Sequence, residues 1–211
     1  MFKAILWDND GILVQTEEWY YEANRQVLAG EGVELPLEIY YDLLLKKNTG
    51  VWHLLESTSD EAIDNLKCER NRIFSDLLRT EDIFVKGASD VLDSLHSRYA
   101  MGIVTSSRKD HFAIIHDRTR LLPYFDFVVA SGDFTNSKPD PEPYLIGIDR
   151  TGYAAHECLA IEDSERGVLA AKRAGLTCWA IPSAMTGNGD FSIADRVLDS
   201  LRDVPSLLDS Y

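Results

Sequence analysis

Cysteine is scarce in this chain: Cys68, Cys158 and Cys178 are the only three among 211 residues. They are scattered, odd in number and form no Cys-x-x-Cys pair. That excludes a disulfide-stapled miniprotein and a thiolate metal site, and it fits a reducing, cytoplasmic compartment. Long hydrophobic runs are absent as well. No apolar stretch approaches the ~18–20 residues of a membrane helix, so no membrane partner is expected. The opening Met1-Phe2-Lys3-Ala4-Ile5-Leu6-Trp7 turns acidic at Asp8. It is too short for a secretory signal and lacks a small-residue cleavage site. Positive charge is in deficit, with 21 Lys and Arg against 35 Asp and Glu, a net charge of −14. Such a surface repels phosphate backbones, so no nucleic-acid partner is expected. An acidic chain that handles an anion needs a cation placed locally. The apolar (45%) and charged (27%) fractions are those of an ordinary folded domain, which excludes a largely disordered chain. The length fits one large domain, or one domain with a smaller insertion.

What is present falls into two patterns. Residues 2–7 form a short apolar run that meets Asp8-Asn9-Asp10-Gly11, a strand ending in a polar glycine turn. From Thr16 to about Asp82 apolar residues recur at three- and four-residue spacing instead: Trp19, Ala23, Val27, then Leu37, Tyr41, Leu44, Leu45, then Ala62, Ile63, Leu66, Ile73, Phe74, Leu77, Leu78. This periodicity predicts roughly four helices, broken at 30–36, 48–50 and 57–60. Beyond Gly87 helices and strands alternate. Helices are expected over 88–97, 108–122, 141–151 and 168–174, and strands over 99–105, 125–130, 158–161 and 177–181. Asp140 is the expected N-cap of the third helix. Alternation of this kind implies an α/β fold, a Rossmann-like parallel sheet core covered on both faces. An all-helical cap spanning 16–82 is inserted between its two parts, 1–15 and 83–211.

Polar residues gather at the ends of the expected strands. The first strand delivers Asp8 and Asp10, two residues apart and so able to face one cavity. The second delivers Thr105 and Ser106, a later loop Lys138, and the fourth Glu162 and Asp163. Each has a plain structural reading alone: a solvated acidic turn, a helix N-cap, a surface lysine, acidic charge at a helix start. In an open parallel sheet, however, all of them reach one edge, where ligands bind. Carboxylates converging there repel one another unless a hard cation such as Mg²⁺ joins them.

Taken together, Asp8-Asn9-Asp10-Gly11-Ile12-Leu13, Thr105, Lys138-Pro139 and Ile161-Glu162-Asp163-Ser164 with Gly167 and Ala170-Ala171 resemble the four motifs of the haloacid dehalogenase superfamily. The stretch from Glu162 to Gly175 is similar to the small phosphatases and β-phosphoglucomutases of that group. The resemblance implies that Asp8 is the nucleophile and that Asp10 is the general acid and base. It implies that Asp8, the backbone carbonyl of Asp10 and Asp163 hold Mg²⁺, and that Thr105 and Lys138 bind the transferring phosphoryl group. Three positions depart from the family pattern. Asn9 stands where an apolar residue is usual, and its expected effect is on packing. Ile12 replaces a common Thr, and Gln15 a common Asp.

The reading favoured is a Mg²⁺-dependent phosphatase acting on a small phosphorylated metabolite, as a monomer or weak dimer. A β-phosphoglucomutase-like isomerase is disfavoured because Tyr20 stands where that branch carries His. Carbon–halogen and carbon–phosphorus hydrolases lack the second acid, Asp10. A non-catalytic phospho-binding relative is expected to lose Asp8 or Asp10. For the substrate, the expected contacts are Ser106 and Arg108 on the core and Tyr20 and Lys47 on the cap, with Glu17, Asn24, Lys46, Asn48 and Thr49 as further candidates. The five histidines show no ligand spacing.

Overall fold

The computed structural model describes residues 1–56 and 58–210. Ser57, part of the break expected at 57–60, lies outside them. The strands are β1 (Ala4–Trp7), β2 (Ala100–Val104), β3 (Phe127–Val129), β4 (Cys158–Glu162), β5 (Thr177–Ala180) and β6 (Arg196–Val197). They form one sheet in the order β3-β2-β1-β4-β5-β6, every pairing parallel. All four residues of β1 are buried, as the uninterrupted apolar run of a central parallel strand requires. Its side chains alternate between two cores. Ile5 and Trp7 join a cluster with Leu92, Ile103 and Val204, while Ala4 and Leu6 join one with Tyr144, Val168 and Ala171.

The helices are α1 (Glu17–Gly30), α2 (Leu37–Tyr40), α3 (Asp60–Thr80), α4 (Ala88–Leu95), α5 (Lys109–Thr119), α6 (Glu142–Thr151), α7 (Glu165–Arg173) and α8 (Val204–Leu208). Between β1 and α4 the described residues are helical or irregular. Where four helices were expected, α1 and α3 flank a short α2 that runs on as a π-helical turn (Tyr41–Lys46), followed by one 3₁₀ turn (Trp52–Leu54). Ser59 starts α3 by accepting the Ala62 backbone N–H at 3.2 Å, with Asp60 and Glu61 favourably placed in the first turn. The helical stretch has one apolar centre of its own and shares a second with the core. Leu28, Leu35, Tyr40, Leu45, Val51 and Leu55 form one. Ala23, Phe74 and Leu78 pack with Val14, Ile83 and Ile115 in another, which reaches α5.

Several expected boundaries move: α7 begins at Glu165 where 168 was expected, and α4 ends at Leu95 where 97 was expected. The helix predicted over 108–122 stops at Thr119, because Arg120 takes a left-handed conformation (φ 57°) and Pro123 follows. Pro141, not Asp140, is the last residue before α6. The Asp140 carboxylate still accepts the Glu142 N–H at 2.9 Å, so its capping role survives from one residue further out.

Register places the site. Trp7 lies opposite Ile103 on one side and Ile161 on the other, so the residues after β1 emerge between those that follow β2 and β4. The chain turns to opposite sides of the sheet on either side of β1, which is where an open α/β sheet forms its ligand crevice.

Candidate active site

Asp8 extends β1 by one residue, its N–H donating to Ile161 O at 2.9 Å. Its carboxylate is buried and accepts from the ammonium of Lys138, Nζ to Oδ1 2.6 Å. Lys138 has three donors and uses them on Asp8, on Glu162 Oε1 at 2.6 Å and on Val104 O at 2.8 Å. The expected surface alternative for Lys138 does not hold, since the residue is only 3% exposed. Glu162 is fully buried and committed elsewhere: Tyr144 Oη donates to Oε1 at 2.8 Å, and Oε2 accepts the Asp163 N–H at 3.2 Å and the Ser164 hydroxyl at 3.1 Å. Gly167 is required here, because a Cβ would sit 2.0 Å from Glu162 Oε2.

Asp10 is treated differently. Its Oδ1 accepts from the Thr16 hydroxyl, and its Oδ2 from Ser107 Oγ at 2.5 Å, Asn9 Nδ2 at 3.2 Å and Thr105 Oγ1 at 3.3 Å. Thr105 does not cap α5, whose N-cap position is Arg108. Asp163 is buried, with Thr186 Oγ1 donating to its Oδ2 at 3.2 Å. Gly11, at φ 87°, lets the loop after β1 pass so close that a Cβ there would lie 2.0 Å from Asp163 Oδ2.

The charges are unequally matched. Burial works against the Lys138 ammonium, but Asp8 and Glu162 outweigh it and push its pKa up to about 12. Asp8 is pushed up to about 8, first by burial and then by Glu162, against the pull of Lys138. One ammonium thus serves two carboxylates. Asp163 is held well above the usual carboxylate range by burial, then by Asp8 and Glu162. One oxygen each of Asp8, Glu162 and Asp163 lies within 4.8 Å of the others. Since Glu162 is already saturated by Lys138, Tyr144 and Ser164, the carboxylates that stand to gain most from a cation are Asp8 and Asp163. Hard oxygen donors in a buried, over-acidic cluster fit a divalent cation.

These groups open into a cavity of about 440 Å³ roofed by α1, α3 and the 44–52 segment. Of the residues expected to contact substrate, Tyr20, Ser106 and Arg108 line it. Ser106 shares a hydroxyl contact with Ser137 at 3.1 Å, and Arg108 is paired with Asp110 at 2.9 Å. Lys47 does not line the cavity; it pairs with Asp42 at 2.5 Å on the surface. Of the further candidates Glu17, Asn24, Asn48 and Thr49 also line it and Lys46 does not, whereas Trp52, Arg70, Phe74, His111 and Arg166 were not foreseen. Arg70 lies over the rings of Tyr20 (4.9 Å) and Trp52 (5.5 Å). Phe74 stands edge-on to both Tyr20 (5.0 Å) and His111 (4.8 Å). Asn24 Oδ1 and His111 Nε2 are buried with no hydrogen-bond partner among the described residues. Arg166 Nη1 donates to Asn48 Oδ1 at 3.0 Å, joining α7 to the roof. Thr186 could have been suspected from its place in the loop after β5. Tyr144 and Arg70 carried no local signal, being one aromatic and one arginine on amphipathic helices.

Comparison with known proteins agrees with this geometry. The profile of the haloacid dehalogenase-like hydrolase family matches residues 5–181. The phosphorylated carbohydrates phosphatase of Thermotoga maritima is 31% identical over 180 residues, 82% of each chain. The fructose-1-phosphate phosphatase YqaB of Escherichia coli is 24% identical over 180 residues, 83% of this chain and 94% of that one. The crystal structure of CbbY from Rhodobacter sphaeroides in complex with phosphate superposes with a TM-score of 0.81 and 26% identity over 95% of both chains. With both central strands, all four motifs and most of its length inside the match, this chain belongs to the haloacid dehalogenase-like hydrolase family, in its phosphatase and phosphoglucomutase-like branch.

Proposed function

We propose that this hydrolase is a Mg²⁺-dependent phosphatase that frees inorganic phosphate from a small phosphomonoester through an aspartyl-phosphate on Asp8. The observation that carries the reading is the pairing of two unlike carboxylates two residues apart. Asp8 is clamped on one oxygen by the buried Lys138 ammonium, while Asp10 is turned onto hydroxyls and an amide. With Oδ1 held by Lys138, Oδ2 of Asp8 faces phosphorus. Attack forms the Asp8 O–P bond and breaks the bond to the ester oxygen, which takes a proton from Asp10. Asp10, now ionised, removes a proton from water as that water attacks the phosphorus of the aspartyl-phosphate, releasing phosphate and restoring Asp8. The Thr105 hydroxyl holds a phosphoryl oxygen, and the Lys138 ammonium, whose donors are spent on Asp8, Glu162 and Val104, contributes its positive charge beside the phosphoryl group. A divalent cation held by Asp8, Asp163 and the backbone carbonyl of Asp10 would supply the positive charge that phosphoryl transfer needs and that an acidic surface lacks.

In the same reading the 16–82 segment is a lid. It is joined to the core by two short connections and has an apolar centre of its own. Closure excludes bulk water and brings Tyr20, Trp52 and Arg70 onto the leaving group. The unpaired Asn24 Oδ1 and His111 Nε2 suit a hydroxylated leaving group. The names of the relatives, a carbohydrate phosphatase and a fructose-1-phosphate phosphatase, support that class.

The test is a phosphate-release panel of phosphorylated sugars, polyols and nucleotides with Mg²⁺, after exhaustive chelation, and with Asp8→Asn. Expected are Mg²⁺-restored turnover, silence of Asp8→Asn, and acid-stable capture of one phosphate per chain in the parent. Full activity of folded Asp8→Asn would refute the mechanism.

A further inference from the structure

Asn9 is the motif residue that the reaction leaves unexplained. It lies between the two reacting aspartates, where the family resemblance leads one to expect an apolar side chain, yet it is an amide with no exposed surface at all. A buried amide is costly unless its groups are paired. Both groups of Asn9 are paired: Nδ2 lies 3.2 Å from Asp10 Oδ2, and Oδ1 lies 2.9 Å from Nε2 of His116 on α5. The effect expected from the sequence was one of packing, but the contacts are polar and lead to the acid–base residue.

The direction of this chain follows from the donor inventory. The amide has one donor end and one acceptor end, and with Nδ2 donating to Asp10 Oδ2 its carbonyl is the group that faces His116. Nε2 of His116 must therefore carry the hydrogen. Nδ1 is left as an acceptor, 3.4 Å from the Thr119 hydroxyl. A neutral ring is the form in which Nδ1 accepts in this way. Burial provides it, holding the imidazole well below its ordinary range, at about 4. The charged neighbour on the other side is Asp10, which favours the protonated ring but does not prevail.

Asn9 differs from the other donors to Asp10. Thr16, Thr105 and Ser107 are hydroxyls, free to rotate and re-aim at a substrate oxygen. The Asn9 amide cannot turn without breaking its bond to His116, and His116 is fixed within α5. We infer that Asn9 and His116 form a positioning relay that holds the Asp10 carboxylate in place while the neighbouring hydroxyls turn to the phosphoryl group. Neither residue is placed on the phosphoryl group; both act through Asp10, Asn9 directly and His116 through Asn9. The inference rests on the reading of Asp10 as the acid that protonates the leaving group.

The experiment compares kcat/KM for glycerol 3-phosphate, whose alkoxide must be protonated, with that for p-nitrophenyl phosphate, whose phenolate leaves unprotonated. The readout is the ratio of the aryl to the alkyl value, measured with Mg²⁺ on variants shown to be folded by thermal melting. Asn9→Leu keeps the volume and removes the amide, and the ratio is expected to rise about tenfold, towards the ~10²-fold that small misplacements cost. His116→Phe should raise it similarly. His116→Gln keeps an N–H for Asn9 Oδ1 and should restore a ratio near that of the parent. A parental ratio in Asn9→Leu, equal losses on both esters, or His116→Gln behaving as His116→Phe would each overturn the relay. If Asn9→Leu does not fold, the two His116 variants decide. Asp10→Asn run alongside separates the two levels. If it fails to raise the ratio, the acid–base reading falls and the relay with it. If it raises the ratio while Asn9→Leu does not, the relay alone is refuted.

Discussion

Replacing Lys138 by Met tests the electrostatic centre of the site. The side chain is 3% exposed and its ammonium holds two carboxylates at 2.6 Å. Methionine fills a similar volume, so packing changes little, but Asp8 and Glu162 are left side by side without their cation. Breaking a buried pair from one side typically costs about 3–5 kcal/mol. Against a total stability of roughly 5–15 kcal/mol, that is a large fraction. For a chain of this size each kcal/mol is worth about 2–4 °C, so the melting midpoint at pH 7.5 should fall by roughly 6–20 °C. The pH dependence fixes the cause. Asp8 is already raised to about 8 in the parent, and loss of Lys138 removes the group that pulled it down. A carboxyl whose folded pKa exceeds its unfolded value takes up protons on folding. The destabilisation is then full above the folded pKa and is relieved as pH falls towards 4. Because the parent's own Asp8 already sits at about 8, the deficit of Lys138→Met relative to the parent should shrink as pH falls from about 10 to about 8 and change little below that. Adding Glu162→Gln, which removes the repulsion and supplies an amide to Asp8, should recover much of the midpoint without recovering turnover. The assay is thermal unfolding of the three proteins across that pH range in chelator. A midpoint loss under about 2 °C, or a deficit that grows on acidification, would refute the reasoning.

Three further outcomes are expected. Asp10→Asn keeps the backbone carbonyl and should bind Mg²⁺ nearly as the parent does, while turnover of alkyl phosphates falls about 10²–10⁴-fold, as measured by calorimetry and phosphate release. Arg70→Gln removes a cation that makes no ion pair among the described residues, donates to Asn71 Oδ1 and lies over Tyr20 and Trp52. It should reorder the substrate panel and leave a small aryl ester least affected, whereas equal losses on every ester would show that selectivity lies in the core. His116 is held neutral, at about 4 against an ordinary value near 6.5. Its contribution is intact above pH 6.5 and is lost as pH falls towards 4, by up to about 3 kcal/mol. His116→Gln should accordingly flatten the fall in melting midpoint between pH 7 and pH 5, and an unchanged slope would contradict the assignment.

The central strands could be read directly from the chain because buried parallel strands are continuous apolar runs, and β1, β2, β4 and β5 are bounded by Gly, Pro or polar residues. Asp8, Thr105, Lys138 and Asp163 could be read because an open parallel sheet sends every strand end to one edge, so chemistry follows from chain position. The short β6 could not, being two exposed residues whose strand character comes only from pairing with β5. Other features depend on contacts across long stretches of chain. Glu162 precedes the ligand Asp163 in the motif but is a partner of Lys138 by geometry, because Tyr144 and Lys138 meet it from α6 and the loop before it. Lys47 faces solvent and Arg70 the cavity, a choice made by how the π-helical turn before Lys47 and α3 pack and invisible in helical spacing. Asn9 shows the division most sharply. Its place in the motif suggested packing alone, and its polar role exists only because α5 carries His116, 107 residues further along the chain, to within 2.9 Å of its carbonyl. Local patterns encode which side of an element is buried. Which groups meet inside is decided by packing, whose partners lie too far apart in sequence for any local period to record.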